Sequence, residues 1–166
     1  MRGLTDEIPL GITNDQVALA SHLIHFWQNE EEFEHGVRFL EPGIANESQY
    51  CVLFGEDEAN QRVLEVLRKG YPELDRVVQG RLVTLRREGS ASETLANIEA
   101  AFATAVSRGA TAIRYLGNLG MGHATLPGKG ADEVVELENG ATLLGRRYPC
   151  VTVCSMTSTQ FLVASC

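Results

Sequence analysis

The sequence has little that would send it out of a cell or hold it in a membrane. Its first residues, Met1-Arg2-Gly3-Leu4-Thr5-Asp6-Glu7, carry acids where a secretory signal needs a basic stretch and then an apolar one. No apolar run approaches the ~20 residues of a membrane-spanning helix. Cysteine is scarce, at positions 51, 150, 154 and 166 only; without an export signal these are expected as free thiols, and a cytoplasmic location follows. Positive charge is short as well. Fourteen Lys and Arg against twenty-two Asp and Glu leave a net charge of −8, which repels phosphate backbones and anionic headgroups, so neither direct nucleic-acid contact nor membrane binding is expected. What the sequence does have is apolar material, 44% of 166 residues, enough for one packed core and for about one domain.

Apolar runs of strand length alternate with amphipathic segments of helix length. Residues 1–14 are polar and irregular, and Asp15 caps a short helix through Ala20 in this reading. His22-Leu23-Ile24-His25-Phe26-Trp27 is a first strand, and Asn29 followed by Glu30, Glu31 and Glu32 opens a helix over 30–46 despite Pro42-Gly43. Gln49 to Gly55 is a second strand, Asp57 to Gly70 a helix, and Arg81 to Leu85 a third strand. A long helix from Ser92 to Ser107 stops at Gly109, and Ala110 to Leu116 is a fourth strand. Five glycines and Pro127 crowd residues 117–130, a loop long enough to be functional. Asp132 starts a helix to about Arg147, Pro149 to Cys154 is a fifth strand, and the tail 158–166 adds a short strand or helix. This alternation predicts an α/β fold of three layers, a mostly parallel central sheet with helices on both faces.

In such sheets ligands bind beyond the C-terminal ends of the strands, so the loops after Trp27, Gly55, Leu85, Leu116 and Cys154 are where chemistry is expected. None is a phosphate loop. Gln28-Asn29-Glu30-Glu31-Glu32 places three carboxylates where a phosphate would sit, and Pro127-Gly128-Lys129-Gly130 has Gly where Ser or Thr is needed. Cys150 and Cys154 lie about 13 Å apart along one strand face, and His22 and His25 point to opposite faces, so no local chelating pair exists and no metal or other cofactor is expected. A site assembled from different strands, such as His22 with Cys154 or with Cys51, stays open. Nucleophilic catalysis needs a base beside a thiol, and His22 and Cys154 are expected at opposite ends of adjacent strands, a poor pairing. Trp27, the one tryptophan, is either a packed core edge or an aromatic wall for an apolar ligand. His123 reaches the crevice from the glycine-rich loop in this reading.

His22-Leu-Ile-His-Phe-Trp27 with Asn29-Glu-Glu-Glu-Phe33 and Phe39-Leu40-x-Pro-Gly-Ile44 resembles the opening of the MEDS domain, the sensory domain of the dichloromethane regulator DcmR and of methanogen and methylotroph signalling proteins. Arg62-Val-Leu-Glu-Val-Leu67, Gly80-Arg-Leu-Val-Thr-Leu85, Arg114-Tyr-Leu-Gly117, Glu136-Leu-Glu-Asn139, Tyr148-Pro149 and Val153-Cys154 follow in the family's order. The resemblance covers about residues 21–161, so residues 1–20 read as an N-terminal extension and 21–166 as a single domain. It implies a RecA-like fold with a degenerate phosphate loop and a role in sensing small organic molecules, hydrocarbon derivatives among them. His22 matches the family's histidine in the first strand and Cys154 its cysteine in the last. Asn118 stands where the family usually has Glu, and Met156-Thr157 replaces the usual Tyr-Asp.

The reading is a non-catalytic sensory or regulatory domain that binds a small organic ligand through His22, Trp27, Asn118, His123 and Cys154. Its output then passes to a separate signalling protein, such as a kinase or a transcription regulator, and its sheet edges allow a homodimer. The alternatives are a ligand-free protein-interaction module and, less favoured, a thiol-dependent enzyme.

Overall fold

The structure, a computed structural model, describes residues 6–118 and 129–157, with the side chains of 129–134 outside the description. Its centre is a five-stranded, wholly parallel sheet. Strands β3 (His22–Trp27), β4 (Gln49–Gly55), β5 (Leu82–Leu85), β6 (Ala112–Asn118) and β7 (Cys150–Thr157) lie in the spatial order β3-β7-β6-β4-β5. Before it, β1 (Glu7–Pro9) and β2 (Gln16–Ala18) form a separate antiparallel pair. A three-layer α/β fold is therefore what the sequence forms. The central strands β4, β6 and β7 are buried along most of their length and read as near-continuous apolar runs, as strands covered on both faces should.

Helices divide between the faces. α1 (Glu30–Val37), α2 (Glu41–Ala45), α3 (Asp57–Gly70) and α4 (Leu74–Val78) cover one side, where Phe33, Ile44, Val63, Leu67 and Leu74 meet Cys51, Leu53, Leu116 and Val153. α5 (Ala91–Ser107) and α6 (Lys129–Arg147) cover the other, where Ile98, Phe102, Ala141 and Leu144 meet Val52, Phe54, Ile113 and Tyr115.

Several expected boundaries shift for physical reasons. Residues 15–20 are not a helix. Asp15 accepts through its backbone carbonyl from Leu10 N–H and closes the hairpin, so Ile8, Val17 and Leu19 can all bury on the main core. The segment 30–46 is broken into α1, a 3-10 turn over Arg38–Leu40, and α2, with Pro42 tolerated in the first turn of α2. α5 begins one residue earlier than Ser92, because Ser90 caps it by accepting from Glu93 N–H. α6 begins at Lys129 rather than Asp132, while β6 and β7 run on to Asn118 and Thr157.

Two arginines hold the first face together. Arg114 is fully buried in β6. Its guanidinium donates to Gln49 Oε1 at 2.8 Å, to the Phe39 carbonyl at 2.9 Å and to the Leu10 and Pro9 carbonyls, and burial lowers its pKa to about 10. Arg81 donates to the carbonyls of Gly43, Ile44, Asn46 and Gln49, supplying partners that the last turn of α2 lacks. Close approach is also required. A Cβ at Gly43 would lie 2.7 Å from Cys51 Sγ and 2.9 Å from Arg114 Cδ, so only glycine lets α2 sit this low on the sheet.

Candidate functional site

β4 and β6 are neighbours, but the chain leaves them in opposite directions. α3 follows β4 over one face of the sheet, whereas α6 follows β6 over the other. That divergence is the switch point at which open α/β sheets form their binding crevice. Gly55 pairs with Asn118 across the point, at the carboxyl ends of the two strands. A Cβ on Gly55 would lie 3.1 Å from both Asn118 Cβ and Asn60 Oδ1, so the glycine admits two asparagines to one corner.

Those asparagines leave hydrogen-bonding capacity unused. Asn118 is 2% exposed, yet neither its Oδ1 nor its Nδ2 has a partner among the described residues. Asn60, one turn into α3, spends its Nδ2 on the Gly55 and Leu85 carbonyls at 3.1 Å each and leaves its Oδ1 unpartnered among the described residues. Trp27 ends β3 on the same side of the sheet. Its ring packs edge-on to Phe33 at 5.1 Å and lies under the Arg62 guanidinium at 5.6 Å, while its Nε1 is buried without a partner among the described residues. An unpaired buried amide or indole N–H costs free energy comparable to a lost hydrogen bond. The carboxyl edge thus presents an indole donor, an amide donor and two amide acceptors beside aromatic surface.

His22 and Cys154 lie elsewhere. They belong to the α5–α6 face, and the expectation that they stand at opposite ends of adjacent strands is wrong. β3 and β7 run parallel with His22 opposite Thr152 and Ile24 opposite Cys154, so the two residues are diagonal neighbours on one face. His22 Nε2 is 3.2 Å from Cys154 Sγ. Glu138 of α6 completes the group: its Oε2 is 3.1 Å from His22 Nε2, and its Oε1 accepts from the Cys154 thiol at 2.8 Å. Thr142, one turn further along α6, has its hydroxyl 2.7 Å from His22 Nδ1 and donates to the Glu138 carbonyl.

Burial, and then the Glu138 charge, pushes the Cys154 thiol well above its ordinary pKa. A thiol held protonated is a weak nucleophile, which counts against thiol catalysis here. Cys51 and Cys150 are buried free thiols, each pushed up to about 12 by burial, and behave as small core residues.

Of the five residues singled out from sequence, the structure therefore brings Trp27 and Asn118 to one edge and His22 and Cys154 together on the opposite face. His123 lies outside the described residues. Sequence reasoning missed Asn60, Glu138 and Thr142. The signal for the last two was a Glu and a Thr four apart on a helix, which share a face. A groove of about 600 Å³ runs along the free edge of β5, lined by Tyr50, Leu85, Arg86, Asn97 and Ala101; it reaches Asn60 but neither Trp27 nor His22.

Residues 21–162 match the family model of MEDS, the methanogen/methylotroph, DcmR sensory domain. The chain belongs to this family. A search of curated proteins finds no significant match. MEDS domains are sensory domains, so the role of this chain is sensory or regulatory. Among the described residues no helix is long and apolar enough to cross a membrane.

Proposed function

We propose that this MEDS domain binds a small hydrocarbon derivative carrying one polar group at the carboxyl edge of its sheet, and that occupancy is read by a separate cytoplasmic signalling protein such as a kinase or a transcription regulator. The observation that carries this reading is Asn118, buried with both amide atoms unpartnered among the described residues at the switch point between β4 and β6. A hydroxyl or a primary amide on the ligand donates to Asn118 Oδ1 or Asn60 Oδ1 and accepts from Asn118 Nδ2, a carbonyl accepts from Asn118 Nδ2 alone, and the hydrocarbon part packs against Trp27 and Phe33. The net charge of −8 favours a basic docking face on the partner.

Trp27, as the only tryptophan, reports directly on the edge. Titration with short-chain alcohols, ketones, amides, amines and halomethanes is expected to give a saturable change in its emission for one chemical class. Asn118→Leu is expected to abolish that change while leaving the far-UV circular dichroism intact. A flat response across the whole panel overturns the reading.

A further inference from the structure

The proton inventory of the His22 cluster does not close without an added positive charge. Thr142 has one hydroxyl proton and gives it to the Glu138 carbonyl at 2.9 Å, so towards His22 Nδ1, 2.7 Å away, its oxygen acts as an acceptor. Nδ1 therefore carries a hydrogen, and in neutral His22 the Nε2 is a bare lone pair. That lone pair faces Glu138 Oε2 at 3.1 Å and Cys154 Sγ at 3.2 Å. The one thiol proton is already committed to Glu138 Oε1. Two lone pairs, on Nε2 and Oε2, thus confront each other in a partly buried place. A catalytic chain from carboxylate through imidazole to thiol is excluded by the same geometry, because it would use both ring nitrogens and here one nitrogen meets both partners.

We propose that His22, Glu138 and Cys154 form a site for a divalent transition metal of the zinc type. Their ligating atoms lie within 4.8 Å of one another and come from three elements, β3, α6 and β7, which converge on one point. In a tetrahedral site with bonds of about 2.0–2.3 Å the ligand atoms stand roughly 3.3–3.7 Å apart, so the observed 2.8–3.2 Å needs an expansion of about half an ångström. Thiolate, imidazole and carboxylate together suit zinc or cobalt rather than magnesium or calcium. Thr142 supplies the outer hydrogen bond that fixes the ring and its tautomer, as partners of metal-bound histidines commonly do. Three protein ligands leave a fourth position for water or an exogenous donor, and the His22 and Glu138 side chains are 17% and 22% exposed. On binding, the metal replaces the Cys154 proton, which passes to solvent; no electron is transferred.

The test is titration of the full chain, stripped with chelator, with Co²⁺ followed by Zn²⁺. The expected result is one Co²⁺ per chain, a thiolate-to-cobalt charge-transfer band with tetrahedral visible absorption, and loss of both when Zn²⁺ displaces it. Cys154→Ser should remove the charge-transfer band, Glu138→Gln should weaken Co²⁺ binding at least tenfold, and Thr142→Val, which removes no ligand, should weaken it less. Cys51→Ser should leave the band unchanged. Should Cys154→Ser fail to fold, Glu138→Gln and Thr142→Val still decide the matter. No stoichiometric binding, or a band that survives Cys154→Ser, overturns the proposal.

Discussion

The two faces of the sheet solve the same packing problem with different materials. On the α1–α4 side a fully buried guanidinium, that of Arg114, reaches carbonyls from the hairpin and from the 3-10 turn and has no carboxylate partner among the described residues. On the α5–α6 side the core is aromatic and aliphatic. Tyr115 stacks on Phe54 at 6.5 Å and meets Phe102 edge-on at 5.6 Å, and Phe102 meets Tyr148 at 5.7 Å. The difference follows from the helices. α5 and α6 are long and regular and need only apolar stripes, whereas α1, the 3-10 turn and α2 are short and broken, and their loose carbonyls need donors. Irregular backbone over a parallel sheet is held by arginines; regular helix is held by side-chain packing.

The sharpest way to break this comparison is Arg114→Met. The methionine fills the stem's volume but strands Gln49 Oε1 and the carbonyls of Phe39, Leu10 and Pro9, at about 1–3 kcal/mol for each group left unsatisfied. A loss on the order of 4 kcal/mol or more is expected, read as a shift in the urea midpoint. Phe102→Leu, on the opposite face, is expected to cost only about 1–2 kcal/mol, because a large apolar replacement leaves a small cavity. Equal losses would mean that the buried arginine does no more than fill space.

Next in size is a substitution that should help the fold and harm the function. Asn118→Leu exchanges an unpartnered buried amide for an apolar group of similar shape, and a gain of about 1–2 kcal/mol in unfolding free energy is expected alongside the lost ligand response. A loss of stability instead would show that the amide is satisfied in the folded chain and is not kept for a ligand.

The layer order was legible because the hydrophobic period switches cleanly: the runs from His22 to Trp27 and from Gln49 to Gly55 are strands with the limits expected of them. The hairpin was not. Val17 and Leu19 with Ile8 are two short segments whose burial is decided by a core far away in sequence. Register hid the His22 cluster in the same way. Nothing local to β3 or β7 says that Ile24, rather than another residue, stands opposite Cys154, and a different offset would have parted the histidine from the cysteine. Trp27 was accessible to reasoning because a strand's last residue must lie at its edge, and Asn118 because it stands where the family usually has Glu, whereas Asn60 and Glu138 depend on which helix crosses which face.

The smallest effect sharpens the contrast between the two histidines of β3. His25 points the other way from His22, against α1, where a Cβ on Gly36 would meet its Nδ1 at 2.5 Å and where that Nδ1 has no partner among the described residues. Burial, and then the nearby His35, lowers its pKa below 6.5, with Glu32 opposing. The unfolded chain then takes up a proton near pH 6.5 that the folded chain refuses, so this contribution to stability is complete above that pH and is lost as the pH falls through and below it. His25→Gln should flatten stability between about pH 7 and pH 5.5 relative to the parent, by less than either change above. Proton NMR of the ring should show a midpoint below 6.5. A midpoint above that value would mean that Glu32 outweighs burial, and the α1 face would then hold its histidine as a cation, as it holds its arginines.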